Sequence, residues 1–317
     1  MAHTMSSRRE QLRALYGFNF PDDFFRFWQF VNRLRPLEPL NALQETLEIT
    51  LVGPFEVMAG RFDGRTPRYS QLLHWRYYDD PPEFFTVFAG STDGLHWGYY
   101  LDDPGLSEGC VAYYYARDAF ELSVAGDNLF EAVRLQLEMS WRDLEEYRDE
   151  DPDYAAEYEA DLQRLDDLRP RLQTYATSDR PEIGEEYFAR YGGLATRNDH
   201  IVAETREGMG IIVPPEQYRP LSLPDKQLWA ALRKTDKLER LVQEARQALR
   251  QGHPGTALKL GKDLWATGGE HQTMYAYELL DAAYAALGRE VLRQVLRTHR
   301  ENRDLPSVDI LLPEGEE

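Results

Sequence analysis

The first predicted elements come from two spacings of hydrophobic residues near the N-terminus. Aromatic residues crowd one face of the stretch 22–34, DDFFRFWQFVNRL, and its two leading acidic residues are suited to cap a helix. This stretch therefore predicts an amphipathic helix. Apolar and polar residues alternate around Ile49, which predicts a strand over 47–52 that ends at Gly53 and Pro54.

Three runs of aromatic and β-branched residues predict an antiparallel sheet. The runs are bounded by Gly, Pro or Asp, and they lie at 84–90, 95–101 and 111–116. Because the connections between them are short, they favour a meander of neighbouring strands. A helical pattern follows over 127–147. The predicted fold class of the N-terminal domain, residues 10–147, is therefore α+β.

Helical spacing dominates the C-terminal part of the chain. A short apolar run at 208–215 predicts one buried strand that two prolines stop. From residue 224 onward the pattern predicts helices separated by glycine and proline, which cover 238–249, 255–266, 272–287 and 289–303. We therefore predict a mostly α-helical C-terminal domain over 206–305.

An acidic segment separates these two parts. Residues 148–205 have a partly helical pattern that Pro152, Pro170 and Pro181 are expected to break. The densest block, 141–170, holds 12 acidic and 4 basic residues, which is typical of a solvated helix or a mobile insertion. We predict that 148–205 forms an insertion or linker between the two domains.

The composition of the chain argues against two classes of protein, those that bind nucleic acid directly and those that span a membrane. The chain has 317 residues, a net charge of −19 and a single cysteine, Cys110, which lies in a strand pattern and is expected to be a small buried hydrophobe. The acidic balance argues against direct binding of nucleic acid, although residues 226–303 carry 14 basic and 9 acidic residues. No apolar run approaches the roughly 18 residues of a membrane span. We expect a protein of the cytoplasm, or of the nucleus in a eukaryote.

The sequence shows no motif of a catalytic site that is complete within this chain. Five residues separate Gly255 from Gly261 where a P-loop has four, and Asp263 replaces the Ser or Thr that would bind magnesium. No two histidines have the i, i+4 spacing of a helical zinc site, and one cysteine excludes a multi-cysteine site. We therefore expect no metal, no bound cofactor and no stand-alone enzyme.

Two stretches are too unusual for a generic core: 15–28, LYGFNFPDDFFRFW, and 73–84, LHWRYYDDPPEF. Further segments follow in order, namely GYY at 98–100, DDP at 102–104, GDNLF at 126–130, GMGIIVP at 208–214, YRPL at 218–221 and GKDLW at 261–265. Together they resemble the histone PARylation factor family, with this chain as a divergent, bacterial-type homologue. The resemblance covers nearly the whole chain except the acidic block 141–190.

The resemblance implies an accessory factor rather than an independent enzyme. Family members bind the catalytic domain of a DNA-damage poly(ADP-ribose) polymerase and direct its ADP-ribosylation to serine. The polymerase holds the NAD, and the family factor supplies a glutamate base. A serine hydroxyl is a poor nucleophile at neutral pH, so a positioned base assists its attack on the NAD ribose.

The resemblance also implies which residues act. Tyr218 and Arg219 match a Tyr-Arg pair that docks the partner, and Asp263 belongs to the matching G-x-D-L motif. The family's catalytic glutamate stands ten residues before the glycine of that motif. Counting back from Gly261 reaches Gln251, whose amide does not accept a proton at neutral pH. The chain thus departs from the family at the position of the base.

Three interpretations of this departure stay open. Glu244 is the base if the alignment slips, or His253 acts instead, because an unperturbed pKa of about 6.5 suits a base. In the third, which we favour, the protein docks without supplying a base. The expected partner-contacting residues are Tyr218, Arg219, Gln251, His253 and Asp263.

One alternative function belongs to a different class. Because Gln251 replaces the expected glutamate and an acidic insertion is present, the chain could be an adaptor or immunity-type interaction protein that keeps the fold without a transferase role. The resemblance further implies a monomer.

Overall fold

The computed structural model describes residues 5–106, 108–118, 120–176 and 180–311, and its N-terminal half contains one antiparallel sheet. The strands are β1 Thr50–Leu51, β2 Phe84–Ala89, β3 Leu95–Asp103, β4 Glu108–Tyr115 and β5 Ser123–Gly126. Each strand pairs antiparallel with the next one along the chain. The α+β class and the predicted meander are therefore confirmed.

Helices surround this sheet and form the C-terminal part of the described chain. Before the sheet's long strands lie α1 Met5–Tyr16, α2 Asp22–Leu34, α3 Gln44–Leu47 and α4 Pro54–Met58. After β5 come α5 Leu129–Glu150, α6 Ala155–Gln173, α7 Gly184–Tyr191 and α8 Asp225–Ala231. The last four are α9 Thr235–Arg250, α10 Pro254–Thr267, α11 Glu270–Leu287 and α12 Glu290–Glu301. None of these helices is long and apolar enough to cross a membrane.

Local sequence signals explain several element boundaries. The α2 helix covers the predicted 22–34, and its aromatic face is buried in the core. Asp93 and Gly94 both adopt positive φ angles, 47° and 69°, in the turn between β2 and β3. Such a turn matches the twist of the strands it joins. The α5 helix begins after Asn128, whose side-chain oxygen accepts from the backbone N–H groups of Phe130 and Glu131.

One strand prediction is wrong in extent, and another is wrong altogether. The alternation over 47–52 is interrupted because Glu48 adopts a left-handed φ of 56° that ends α3, so only Thr50–Leu51 pairs with β2. The run 208–215 is not a strand, although Ile211 makes one isolated bridge to Ala203. Left-handed glycines at 208 and 210 break its extended path, and the following prolines lack the N–H that a ladder needs.

The acidic segment forms helices that pack together. The predicted break at Pro170 is wrong, because this residue lies inside α6 near its C-terminal end. Helices α6 and α7 both pack against α5. Glu138 of α5 links them: its Oε1 accepts from Arg134 and Arg169, and its Oε2 accepts from Arg169 and from the backbone N–H of Gly184. The segment is therefore attached to α5 by a buried carboxylate.

One hydrophobic core cluster includes residues from both halves of the chain, from Leu12 to Leu296. The motif at 78–84 adds polar contacts between the halves. Trp265 Nε1 donates to the carbonyl of Asp79 at 2.9 Å, and Tyr284 donates to the Glu83 carboxylate at 2.7 Å. These contacts give the YDDPPEF motif a structural role. The predicted domain boundaries stay a prediction.

His299 of α12 leads to a pH prediction. Its ring is buried, and burial lowers its pKa to about 3, with Arg76 and Arg303 adding to the effect and Asp80 opposing it. In the unfolded chain an ordinary histidine titrates near a pKa of about 6.5. Between these values the unfolded chain binds more protons, so the unfolding free energy decreases as the pH falls below about 6.5.

We expect urea unfolding to show a loss of up to about 2 kcal/mol from this group between about pH 6.5 and about pH 5. His74 contributes with the same sign, because burial lowers its pKa to about 4. A His299→Gln variant should therefore show a smaller loss, whereas substitution of the exposed His200 should leave the loss unchanged. An equal loss in the His299→Gln variant would contradict the assignment.

Candidate functional site

The short link between α9 and α10 forms an exposed turn. The backbone N–H of Gln251 bonds the carbonyls of Gln247 and Ala248, which ends α9 in a tight turn. Gly252 then takes a φ of 89°, a left-handed conformation that favours glycine, and Pro254 starts α10. Gln251 is consequently exposed at the junction of two helices.

The Tyr218-Arg219 segment lies directly against this turn. Thr256 of α10 is buried, and its hydroxyl holds the backbone of Arg219 on both sides: it accepts from the Arg219 N–H at 3.1 Å and donates to the Arg219 carbonyl at 2.6 Å. Gly255 allows this approach, because a Cβ there would lie 2.8 Å from Val213 Cγ2 and 3.0 Å from the Gln217 carbonyl oxygen. Arg219 therefore has a fixed backbone and an exposed side chain.

The structure brings the two main predicted positions into contact. Arg219 Nη1 donates to Gln251 Oε1 at 3.2 Å, although the residues are 32 positions apart. Within the described chain, the other N–H groups of this guanidinium have no hydrogen-bond partner. An exposed guanidinium with free donors is suited to a bidentate bond with a carboxylate. We call the cluster of the exposed Arg219 and Gln251 with the half-buried Tyr218 and His253 the α9–α10 surface.

His253 belongs to this surface and has one ring nitrogen engaged. Its Nδ1 lies 3.0 Å from the carbonyl oxygen of Glu216. A carbonyl only accepts, so this contact requires the Nδ1–H tautomer in the neutral ring and leaves the lone pair on Nε2. The half-buried ring is thus held in an orientation in which Nε2 can accept a proton.

Glu244 occupies a different environment from the other candidates. Its two carboxylate oxygens accept from the backbone N–H and the hydroxyl of Ser222, at 2.7 and 2.8 Å. Both oxygens are therefore engaged in holding the segment after Pro220 against α9. Glu244 therefore positions this segment. It is a weaker candidate for the general base, because both of its oxygens already accept hydrogen bonds.

Asp263 lies beneath the surface rather than on it. Its carboxylate is fully buried, where it accepts from Lys259 at 2.6 Å and from the backbone N–H of Arg206 at 2.8 Å. Burial raises the pKa of Asp263 to about 6 although Lys259 opposes the rise. The expectation of a direct partner contact does not fit this burial, since the G-x-D-L motif faces the core here. The other expected partner contacts stay predictions.

Tyr218 connects the surface to the buried charges. Its ring is half-buried against the hydrophobic core. Burial raises the pKa of its hydroxyl, while the nearby ammonium of Lys259 lowers it. Lys259 itself also pairs with Asp225 at 2.9 Å. The charge cluster under Tyr218 therefore holds α10 and α8 together below the exposed residues.

Sequence reasoning missed Thr256 and Gly255. Both lie next to the predicted His253, but neither residue type stands out without knowledge of what packs against it. The signal available in the sequence was the Gly-Thr pair just inside a helix start, where small residues permit close approach of another backbone.

Arg76 and Asp80 of the motif at 73–84 are buried in structural contacts. Arg76 donates to three backbone carbonyls, those of Leu72, Pro81 and Phe84. Asp80 accepts from Tyr114 at 2.6 Å and contacts His96 Nε2 at 3.0 Å. Such saturated contacts leave little capacity for substrate chemistry.

Cys110 is buried in β4, as expected, and burial raises the pKa of its thiol to about 12. A thiol held in its neutral form is a poor nucleophile. Among the described residues, no group of three His, Cys, Asp or Glu side chains is placed to hold a metal ion.

Comparisons with known proteins agree with the resemblance seen in the motifs. The family model described as Histone PARylation factor 1 matches residues 7–303. The chain is 29% identical to histone PARylation factor 1 of Bos taurus over 327 residues, which cover 96% of this chain and 89% of the relative. It is 27% identical to the Mus musculus protein of that name, covering 98% and 91%, and 29% identical to that of Danio rerio, covering 96% and 88%.

The match spans both the sheet and the C-terminal helices, including the α9–α10 surface. A family model that covers nearly the whole chain identifies a shared fold rather than a shared motif. The chain therefore belongs to the histone PARylation factor 1 family.

Proposed function

We propose that this protein is an accessory factor that binds the catalytic domain of a poly(ADP-ribose) polymerase-type ADP-ribosyltransferase and shapes where that enzyme attaches ADP-ribose. The observation that carries the proposal is the contact of Arg219 with Gln251 on an exposed surface of a chain in this family. The names of the relatives describe factors for PARylation of histones.

The α9–α10 surface has the physical properties of a docking site. The Thr256 hydroxyl fixes the backbone of Arg219 before any partner arrives, so little ordering is needed on binding. The guanidinium donors of Arg219 that have no partner among the described residues offer a fork to a carboxylate of the partner. Residues 226–303 also carry a net positive charge in an otherwise acidic chain, which would steer an acidic partner surface towards this end.

The residue at position 251 decides what we propose that this chain, rather than its partner, contributes to the reaction. The partner would hold NAD and supply the transferase chemistry, and this chain would supply a surface beside the acceptor. Gln251 does not act as a general base, so the proposed contribution is steric: it selects the acceptor or limits chain elongation. His253 is the alternative base, since its Nε2 is left to accept a proton.

Replacing Arg219 with alanine tests the docking mode. We expect the affinity for a cognate polymerase catalytic domain to fall by about 2 kcal/mol or more, about 30-fold, because the partner carboxylate would lose a bidentate ion pair. Isothermal titration calorimetry with both proteins folded measures this change.

A matched control is Arg240→Ala, which removes an exposed arginine from the same helical region without touching the α9–α10 surface. The control should bind as the native chain does. If the native chain does not bind at high micromolar concentration, the proposed function is wrong. If it binds and Arg219→Ala binds equally well, the docking mode is wrong.

The second candidate is an adaptor or immunity-type interaction protein with the same fold and no transferase role. The absence of an acid at Gln251 favours it. It predicts a source genome without a poly(ADP-ribose) polymerase, and capture of an unrelated protein through the same surface. Under the main proposal, this protein acts as a monomer. It acts in the compartment of its partner, which is the cytoplasm or, in a eukaryote, the nucleus.

A further inference from the structure

A partly enclosed cavity lies at the opposite end of α10 from the α9–α10 surface. Its volume is about 190 Å³, and its walls are mainly apolar, with Pro81, Pro82, Phe120 and Trp265 among them. The helix has 14 residues, so roughly 20 Å separates the cavity from Gln251. The cavity is therefore distinct from the proposed docking site.

One buried carboxylate contributes to the cavity wall. Glu207 is 4% exposed, and its Oε1 lies 2.9 Å from Lys262 Nζ as an ion pair. Lys262 donates its hydrogen bonds elsewhere, to Tyr100 and to the carbonyl of Gly210. Neither oxygen of Glu207 has a hydrogen-bond partner in the described chain, so the ion pair with Lys262 is the contact of Oε1, and Oε2 has no such ion pair.

The missing hydrogen bonds of Glu207 are unusual for a buried carboxylate, which normally has its oxygens hydrogen-bonded. Elsewhere in the described chain, both oxygens accept hydrogen bonds in Glu138, Asp102 and Asp263. Glu83 also has a spare Oε2, but it does not line this cavity. Glu207 alone among these combines an unused acceptor with an adjacent empty space.

The surroundings favour a cationic donor over a neutral one. Asp79, which pairs with Arg303, also lines the cavity. Burial raises the pKa of the neighbouring Asp263 to about 6, and the nearby carboxylate of Glu207 adds to the rise. The guanidinium carbon of Arg206 lies 5.0 Å from the centre of the Phe120 ring, and this ring lines the cavity. The Phe120 ring therefore already contacts one planar cation, the guanidinium of Arg206.

We propose that this cavity binds a guanidinium or amidinium group carried on a compact apolar stem, with Glu207 Oε2 accepting its N–H. The volume is sufficient, since an apolar cavity of about 150 Å³ in another protein holds benzene. Glu138 shows that one buried carboxylate in this fold can serve two cations, because Arg134 and Arg169 both donate to it.

Benzamidine titrated into the full chain tests the site, with neutral benzamide as the matched probe and chemical-shift changes as the readout. We expect benzamidine to bind saturably and benzamide at least about tenfold more weakly, because a charged donor bonds a carboxylate more strongly. A Glu207→Gln variant should also bind benzamidine at least about tenfold more weakly. The control Glu83→Gln, which alters the other spare carboxylate, should bind as the native chain does.

Three results would overturn the proposal: no saturable binding of benzamidine at millimolar concentration, equal affinities for benzamidine and benzamide, or equal benzamidine affinity in a folded Glu207→Gln variant. If Glu207→Gln does not fold, Ala266→Leu replaces it, because this half-buried residue lines the cavity and its enlargement should abolish binding. Retained binding in folded Ala266→Leu would equally refute the site.

Nα-acetyl-arginine amide distinguishes the source of the ligand. Binding with an affinity near that of benzamidine supports an arginine side chain presented by a protein, whereas binding of benzamidine alone supports a small-molecule ligand at the same site.

Discussion

Replacing Gln251 with glutamate should raise serine-directed modification by the proposed partner enzyme by about 10²–10⁴-fold, the usual contribution of a positioned general base. The residue is exposed at the end of α9, so a carboxylate there stays solvated and ionised. Arg219 Nη1 already contacts Oε1 at this position and would orient the new carboxylate without a change in the backbone. The substitution thus introduces the glutamate that the resemblance to the family leads us to expect here.

Mass-spectrometric mapping of modified residues measures this effect with polymerase alone, with the native chain and with the variant. Gln247→Glu is the matched control, because it makes the same change on an exposed position one turn earlier in α9. Serine modification should appear only with Gln251→Glu. If both variants bind the polymerase and neither alters the modified residues, the base lies elsewhere or is not needed.

Replacing Glu138 with glutamine should lower the unfolding free energy by about 3–5 kcal/mol. The buried carboxylate accepts from two arginines and from the first backbone N–H of α7. Glutamine keeps the shape but leaves the buried Arg134 without its counter-charge and leaves Arg169 with Asp166 as its remaining acidic partner. The loss should concentrate in α6 and α7, because Glu138 connects both helices to α5.

Urea unfolding followed by circular dichroism measures the change, and hydrogen exchange locates it in α6 and α7. Glu146→Gln removes an exposed acid from the same helix and should leave the unfolding free energy nearly unchanged. A loss below about 1 kcal/mol in Glu138→Gln would show that the carboxylate is not the link that holds the acidic segment.

The sequence predicted most elements of the fold because their signals are local. The α2 helix has the predicted bounds, and the strands β2, β3 and β4 lie where aromatic and β-branched runs end at turn residues. The prediction near 47–52 was wrong in extent because a single left-handed residue, Glu48, interrupts an alternation that looks regular. Pro170 stays inside α6, so tertiary packing outweighed its local tendency to break a helix.

The candidate site was only partly accessible from the sequence. Motif spacing identified Arg219 and Gln251 separately, through the resemblance to the family. It did not reveal Thr256, whose hydroxyl is significant only because another backbone packs against it. It also placed Asp263 among the partner contacts, whereas the fold buries that carboxylate beside Lys259.

By itself, the sequence determined the α+β class, the helical C-terminal part, the family and the glutamine at position 251, because periodicity and motif order are properties of neighbouring residues. Only the tertiary structure decided which of those residues meet. Arg219 contacts Gln251, Glu138 links three helices, and Glu207 borders a cavity without a hydrogen bond to its carboxylate in the described chain. Contacts between distant positions depend on how complete helices and loops pack, and no local pattern encodes that packing.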